Sequence, residues 1–155
     1  MGYPDYNPRV YDDMLNGGKR LYCISTDDNH NHTPYDHPQY DSFGGWVCIK
    51  ADKLEYQTIG QALLRGNFYA SRGPEIKELW YEDGKVHIKT SPVRTIDCIF
   101  GGRRKAFRIA ANKGERITEA EFDVNIEFAT HFRLTATDER GKTADTNAYF
   151  LDEIK

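Results

Sequence analysis

The 155-residue sequence lacks several features that would assign its class at once. It has no apolar run approaching the roughly 20 residues of a membrane-spanning helix. Its first residues are polar and do not form a signal peptide. We therefore expect a cytoplasmic protein without a membrane partner. The chain is also too short for a complete (β/α)₈ barrel, which needs roughly 250 residues.

Cysteine is scarce, and neither sign of charge dominates. The chain has only three cysteines, Cys23, Cys48 and Cys98, each in an apolar, strand-like run. This odd and widely spaced set predicts reduced core thiols rather than a disulfide framework. The net charge is −3, and the only basic run, at 103–105, follows two glycines. This pattern predicts a hairpin tip, so we expect no nucleic-acid partner.

The N-terminal half alternates helix and strand signals. Asn7-Pro8 offers an N-cap followed by proline at the first helical position. Residues 21–24 and 46–50 read as short buried strands, separated by a polar stretch. Asp52 then caps a second helix, with Glu55 three residues later completing a capping box. This β-loop-β-α order is typical of an α/β layer.

After Gly73-Pro74 the pattern changes to strands only. Asp83-Gly84 is a strong hairpin signal, and residues 122–128 alternate strictly between apolar and polar. About seven short strands are predicted, which is typical of a seven-stranded immunoglobulin-like β-sandwich. The fold class is therefore α+β, mainly β. We expect two units, residues 1–73 and residues 74–155.

The polar loop between the first two predicted strands concentrates potential metal ligands. In an extended backbone, residues i and i+2 point to the same side, so Asp28 and His30 are placed to share one cation. Mixed oxygen and nitrogen ligands suit Zn²⁺, Mn²⁺ or Fe rather than Ca²⁺. The alternative is a polar loop whose side chains only cap turns. The histidines and aspartates of this loop are Asp27, Asp28, His30, His32, Asp36, His37 and Asp41.

Several segments resemble the end of a PHP domain, the polymerase and histidinol phosphatase type. The similarity is greatest to the branch of metal-dependent phosphoesterases in which a β-sandwich follows the barrel. It is specific over residues 20–74 and looser over 75–150. The segments that carry it are CISTDDNHN at 23–31, DSFGGWV at 41–47, IKA at 49–51 and ALLRGNFYASRGP at 62–74.

The resemblance implies a fold, a reaction and a pair of metal ligands. PHP enzymes form a distorted (β/α)₇ barrel that holds two or three divalent metals, which activate water for attack on a phosphoester small molecule. Their last ligand motif, Asp-x-His, corresponds to Asp28 and His30, with Asp27 as the next candidate. His32 and His37 match no ligand motif of the family. Zn, Mn or Fe is the implied cofactor of the parent enzyme.

The sequence also departs from the family. PHP enzymes open with a His-x-His pair and take further ligands from middle strands, which implies on the order of 150–200 missing barrel residues. His30-Asn31-His32 is not that opening pair, because a sandwich rather than a barrel follows it. The chain therefore resembles a C-terminal fragment whose partner is the N-terminal PHP barrel portion. Alone it is expected to bind metal weakly and to be inactive, and exposed strand edges favour a homodimer.

Two functions remain open at this stage. One is the C-terminal fragment of a metal-dependent phosphoesterase, with residues 1–73 as the β-loop-β-α remnant of its barrel. The other is a non-catalytic β-sandwich module for carbohydrate, partner-protein or interdomain binding. An exposed Trp80 beside Tyr56 or Tyr69 would indicate a sugar platform or a domain interface. A Trp80 packed against the preceding helix would indicate neither.

Overall fold

The computed structural model describes residues 7–30, 32–37, 40–102 and 105–154. Short helices and strands fill these residues, with most of the regular structure after position 67. In chain order they are α1 (Pro8–Asn16), β1 (Trp46–Ile49), α2 (Tyr56–Leu64), β2 (Phe68–Ser71), β3 (Ile76–Glu82), β4 (Lys85–Val93), β5 (Thr95–Phe100), β6 (Lys105–Ala110), β7 (Ile117–Asp123), β8 (His131–Thr137), β9 (Thr143–Thr146) and β10 (Tyr149–Phe150).

The strands form two antiparallel sheets of very different width. The large sheet has seven strands in the order β1-β2-β9-β8-β5-β6, with the short β10 also paired to β8. The small sheet has three strands in the order β3-β4-β7. Contacts of β4 with β8, and of β7 with β5 and β6, pack one sheet against the other. The prediction of an α+β, mainly β chain is confirmed at this level.

The hydrophobic core lies between the two sheets. Alternate residues of each strand face it, as expected for sheets with one buried face. Val93, Ile96, Leu134 and Ala144 have no exposed surface in the folded chain. The other buried members of the cluster are Val86, Ile88, Cys98, Phe100, Phe122, Val124, Phe132 and Ala136.

One cap signal and one turn signal locate their elements correctly. Asn7 accepts a hydrogen bond from the Val10 backbone N–H at 3.4 Å and so caps α1, which begins at Pro8. Asp83 and Gly84 both have positive φ, 49° and 79°, which is the geometry of a type I′ hairpin turn between β3 and β4. Arg103 and Arg104, most of the predicted basic hairpin tip, lie outside the described residues.

Three strand or helix predictions are wrong in detail. Residues 21–24 form no strand, and the Cys23 backbone N–H donates instead to Oδ1 of Asn147 at 2.8 Å. Helix α2 begins at Tyr56, four residues after the predicted cap, and the side chain of Glu55 makes no cap hydrogen bond. Strand β7 ends at Asp123, so most of the alternating run 122–128 lies beyond it.

The large sheet crosses the predicted boundary between residues 73 and 74. Strand β2 pairs with β1 through Val47 and Ala70, and with β9 through Ala70 and Asp145. The described residues after position 73 contribute eight strands, β3 to β10, rather than the seven counted in the sequence. The N-terminal segment therefore shares a hydrogen-bonded sheet with the strands that follow it. The division into 1–73 and 74–155 stays a prediction.

Candidate functional site

Two carboxylates hold the polar loop in place. One oxygen of Asp27 accepts a hydrogen bond from the Phe43 backbone N–H at 2.7 Å. Asp41, on the second segment, accepts a hydrogen bond from the His30 backbone N–H on the first, at 2.8 Å. Residues 27–30 and 41–43 are thus tied side by side without strand pairing. The side-chain amide of Asn29 donates to the Ser42 hydroxyl and adds a third tie.

The backbone of Asp28 is not extended. Its φ is +52°, in the left-handed region, which Asp and Asn tolerate better than most residues. The argument that placed Asp28 and His30 on one side of an extended chain is therefore wrong in its geometry. Both side chains are exposed. Within the described residues no hydrogen bond or ion pair engages the Asp28 carboxylate, whereas Asp27, the next candidate ligand, is occupied by the Phe43 N–H.

His30 lies beside a carboxylate and a second imidazole. Its Nδ1 is 3.9 Å from an Asp41 oxygen, and its ring stacks on that of His32 with 5.8 Å between ring centroids. The hydrogen bond from the His30 backbone lowers the pKa of the Asp41 carboxyl, and the charges of the two imidazoles act in the same direction. The other Asp41 oxygen, Oδ1, is buried and has no partner in the part of the chain described here.

No group of three or more metal-ligating side chains assembles within the described residues. His37 lies in a turn, where its backbone N–H donates to the Pro34 carbonyl at 3.2 Å. The role of Asp28 and His30 as metal ligands therefore stays a prediction. Sequence reasoning named Asp41 among the loop carboxylates but did not predict that it accepts the His30 backbone N–H and lies 3.9 Å from the His30 ring.

A second polar cluster lies on the outer face of the large sheet, under α1. Arg133 on β8 is 2% exposed and makes a bidentate ion pair with Asp12 of α1, at 2.6 and 2.8 Å. Its Nη1 donates to the Thr135 hydroxyl at 2.8 Å and lies 3.3 Å from Asp145 of β9. The composition of β8 does not predict this cluster. A buried arginine needs paired partners, and here they lie far along the chain.

A cavity of about 260 Å³ adjoins this cluster and is lined in part by residues 23–26. Cys23 lies in its wall, but burial, reinforced by the charge of Asp145, raises the pKa of its thiol to about 11. A thiol of this kind is protonated at neutral pH and is a poor nucleophile. Cys98 is fully buried, and all three cysteines are free. The prediction of unpaired thiols is confirmed, although Cys23 and Cys48 are only half-buried.

A larger cleft, of about 1190 Å³, lies between β3 and the β1–β2 end of the large sheet. Asn147 stabilises the floor of this cleft. Its side-chain amide donates to the carbonyls of Gly66 and Phe68 at 2.9 and 3.0 Å, and its Oδ1 accepts from the Cys23 backbone N–H. Trp80, 38% exposed, and Tyr69 both line this cleft.

Comparison with protein-family models, curated proteins and solved structures found no match to this chain. The likeness to PHP enzymes therefore depends on the sequence resemblance alone, which is specific over residues 20–74 and looser over 75–150. Among the described helices, none is long and apolar enough to cross a membrane.

Proposed function

We propose that this chain is the C-terminal part of a PHP-type, metal-dependent phosphoesterase. In this proposal Asp28 and His30 are ligands of its divalent metal ions, and the N-terminal barrel portion supplies the other ligands. The segment from the polar loop through α2 corresponds to the end of that barrel, and its strand β1 also pairs with β2 in the large sheet. The strands that follow form an immunoglobulin-like sandwich appended to it.

The observation that carries the proposal is a difference among the loop carboxylates in what they bind. Asp27 and Asp41 are occupied by backbone N–H groups and hold the loop together. The Asp28 carboxylate, between them in the sequence, is exposed and engages no described partner. A loop that only capped turns would use this carboxylate on a backbone N–H, as it uses Asp27 and Asp41. This favours a role as a ligand over the alternative of a purely structural loop.

The environment of His30 supports the same role. Histidines that bind metals commonly have a carboxylate or carbonyl at the ring nitrogen that does not bind the metal. Asp41 lies on the Nδ1 side of His30, at 3.9 Å, and this favours Nε2 as the ligand atom. One carboxylate oxygen and one imidazole nitrogen are a donor set that fits Zn²⁺, Mn²⁺ or Fe. A bound cation of this kind would stabilise the charge that develops on a phosphate ester.

Exposed apolar side chains in the N-terminal part support the proposed contact with the barrel portion. Leu54 is 96% exposed, Leu64 75% and Ile24 64%, and Phe43 beside the candidate ligands is 77% exposed. Of α2, only Ala62 is buried. Large apolar side chains exposed to this degree suit a surface that another part of the protein covers. The barrel portion of the same protein is the partner that the proposal requires there.

The test is binding of Mn²⁺ to the full 155-residue chain, followed by NMR. Mn²⁺ is paramagnetic and should broaden the ring signals of His30 well before those of His87 on β4. Asp28→Asn should weaken Mn²⁺ binding about tenfold, because one charged ligand is lost. Asp36→Asn is the matched control, since Asp36 is also exposed and also has a positive φ, +74°. Equal broadening of both histidines, or equal effects of both substitutions, would overturn the proposal.

A further inference from the structure

The cleft between β3 and the end of the large sheet exists because the two sheets differ in width. Seven strands face three, so β1 and β2 extend past the edge of the small sheet. Its walls are β1, β2 and β3, and its floor is the segment 146–150. The metal ligands proposed above do not line it. A function of this cleft is therefore separate from that of the polar loop.

Trp80 on β3 is 38% exposed and lines this cleft. One face of its indole ring is covered by His87 of β4, with 4.9 Å between ring centroids and 7° between the planes. Lys89, also on β4, lies 5.5 Å from the indole centroid. His87 comes from β4, and β3 is the edge strand of the small sheet. The face of the indole opposite His87 is therefore directed away from β4, towards the edge of β3 where the cleft begins.

Hydroxyl-bearing aromatic side chains continue this surface. Tyr22 is 51% exposed and Tyr149 37%, and both line the cleft with Trp80. Each has its ring against another aromatic ring, Tyr22 against Phe68 and Tyr149 against Phe132, which holds it in place. Rigid rings with polar groups at their tips suit a ligand that has flat apolar faces and many hydroxyls.

The cleft also has uncompensated positive charge. Lys50, Arg65 and Lys77 line it, and no ion pair within the described residues engages any of the three. The acidic groups in its wall are already paired, Glu78 with Lys89 and Glu153 with Arg20. On a chain of net charge −3, this local excess of cations favours an anionic ligand.

We propose that this cleft binds an oligosaccharide that carries carboxylate groups, such as a chain of uronic acids. A sugar ring stacks on the free face of Trp80, and its carboxylates pair with the cations of the cleft. Single-stranded nucleic acid also uses aromatic faces and cations, but it needs a continuous positive groove along its backbone. Three cations on a chain of net negative charge do not provide such a groove.

The experiment titrates the full chain with tetragalacturonate, with maltotetraose as the neutral match and with a thymidine tetranucleotide as the nucleic-acid match. The chain has two tryptophans, so a Trp46→Phe background leaves Trp80 as the only indole that reports by fluorescence. Tetragalacturonate should shift the Trp80 emission to shorter wavelength and give a saturable binding isotherm in calorimetry. The other two probes should give neither.

Variants in calorimetry separate stacking from charge. Trp80→Ala should weaken binding about tenfold or more, and Trp80→Phe should retain most of it, because a stacked aromatic carries much of the energy. Lys77→Gln should weaken binding about two- to fivefold, as expected for one exposed ion pair. Lys113→Gln, on an exposed turn outside the cleft, is the matched control and should change nothing.

Four results would overturn the proposal. They are equal binding of the neutral and acidic sugars, binding of the nucleotide instead, unchanged affinity in Trp80→Ala, and no binding of tetragalacturonate at millimolar concentration. Trp80→Phe controls for misfolding of Trp80→Ala, because it keeps an aromatic ring at this position of β3. None of these results depends on Mn²⁺ binding at Asp28, so the failure of either proposal leaves the other standing.

Discussion

At the scale of single residues, Arg133 is a buried cation whose partners come from three different elements or positions of the chain, Asp12, Thr135 and Asp145. It lies on β8 but pairs with Asp12 of α1 and with Asp145 of β9. Taking a guanidinium out of water is expensive unless its donors are paired. The pairing therefore anchors α1 to the outer face of the large sheet, where a helix with one buried residue, Leu15, would otherwise hold weakly.

Arg133→Ala should lower the free energy of unfolding by about 3–5 kcal/mol, the usual loss when one partner of a buried ion pair is removed. Asp12 and Asp145 would both lose the guanidinium that lies between α1 and β9. Urea denaturation followed by circular dichroism measures the loss. Arg116→Ala is the control, because Arg116 and Glu139 form an ion pair in which both side chains are exposed. Equal losses in the two variants would show that Arg133 does not anchor the sheet.

The buried thiol of Cys98 makes stability fall in alkaline solution. Burial raises the pKa of this thiol to about 12 in the folded chain. Once unfolded, a cysteine releases its proton near pH 8.5. The folded state therefore holds the proton where the unfolded state does not, and stability decreases as pH rises from about 9 towards 12. Urea midpoints measured across this range should fall less steeply in Cys98→Ala than in the unmodified chain, and parallel slopes would contradict the assignment.

At the scale of elements, two glycines predict opposite effects of the same substitution. Gly60 lies in α2, and a Cβ added there meets nothing within 4 Å. Gly60→Ala should stabilise the chain by about 0.5–1 kcal/mol, because alanine loses less entropy in a helix. Gly84 has a positive φ in the β3–β4 turn, so Gly84→Ala should cost about 1–2 kcal/mol. Thermal unfolding of both variants tests the pair, and shifts of the same sign would contradict it.

The elements that could be predicted are those specified by local chemistry. The cap at Asn7 and the turn at Asp83-Gly84 need only neighbouring residues, and both are where the sequence places them. The apolar run 21–24 reads as a strand, but a strand needs a neighbour to pair with. In the described structure the run is instead held by side chains: the Leu21 carbonyl accepts from the Tyr11 hydroxyl, and the Cys23 N–H donates to Asn147, 124 positions along the chain. No local pattern reveals the second of these.

The candidate site shows the same limit. Residue types and the PHP-like segments indicated Asp28 and His30 as ligands, because chemistry and motif are both read from the sequence. The left-handed backbone at Asp28 and the placement of Asp41 beside His30 depend on how two distant loop segments lie together. The alternation at 122–128 failed for a related reason. Val124 packs in the core after its strand has ended, so burial continues while pairing does not.

At the scale of the whole molecule, we expect the chain alone to have no phosphoesterase activity. Two ligands hold a catalytic metal poorly, since each lost charged ligand removes coordination energy. Turnover of p-nitrophenyl phosphate with Mn²⁺ should not exceed the rate without protein. A rate that is present in the unmodified chain and abolished by Asp28→Ala would contradict this. It would show that these residues assemble a complete site without a barrel.

The continuity of the large sheet has a practical consequence for anyone who dissects this protein. A recombinant fragment beginning at position 74 would lose β2 from the side of β9, and it would lose Asp12 from Arg133. The exposed edge of β9 would favour aggregation. Arg133 would keep Asp145 and lose the bidentate pair with Asp12 that covers it from α1. The shortest fragment suitable for expression therefore includes α1. Its boundary is set by the hydrogen bonds of the large sheet and not by the glycine-proline junction.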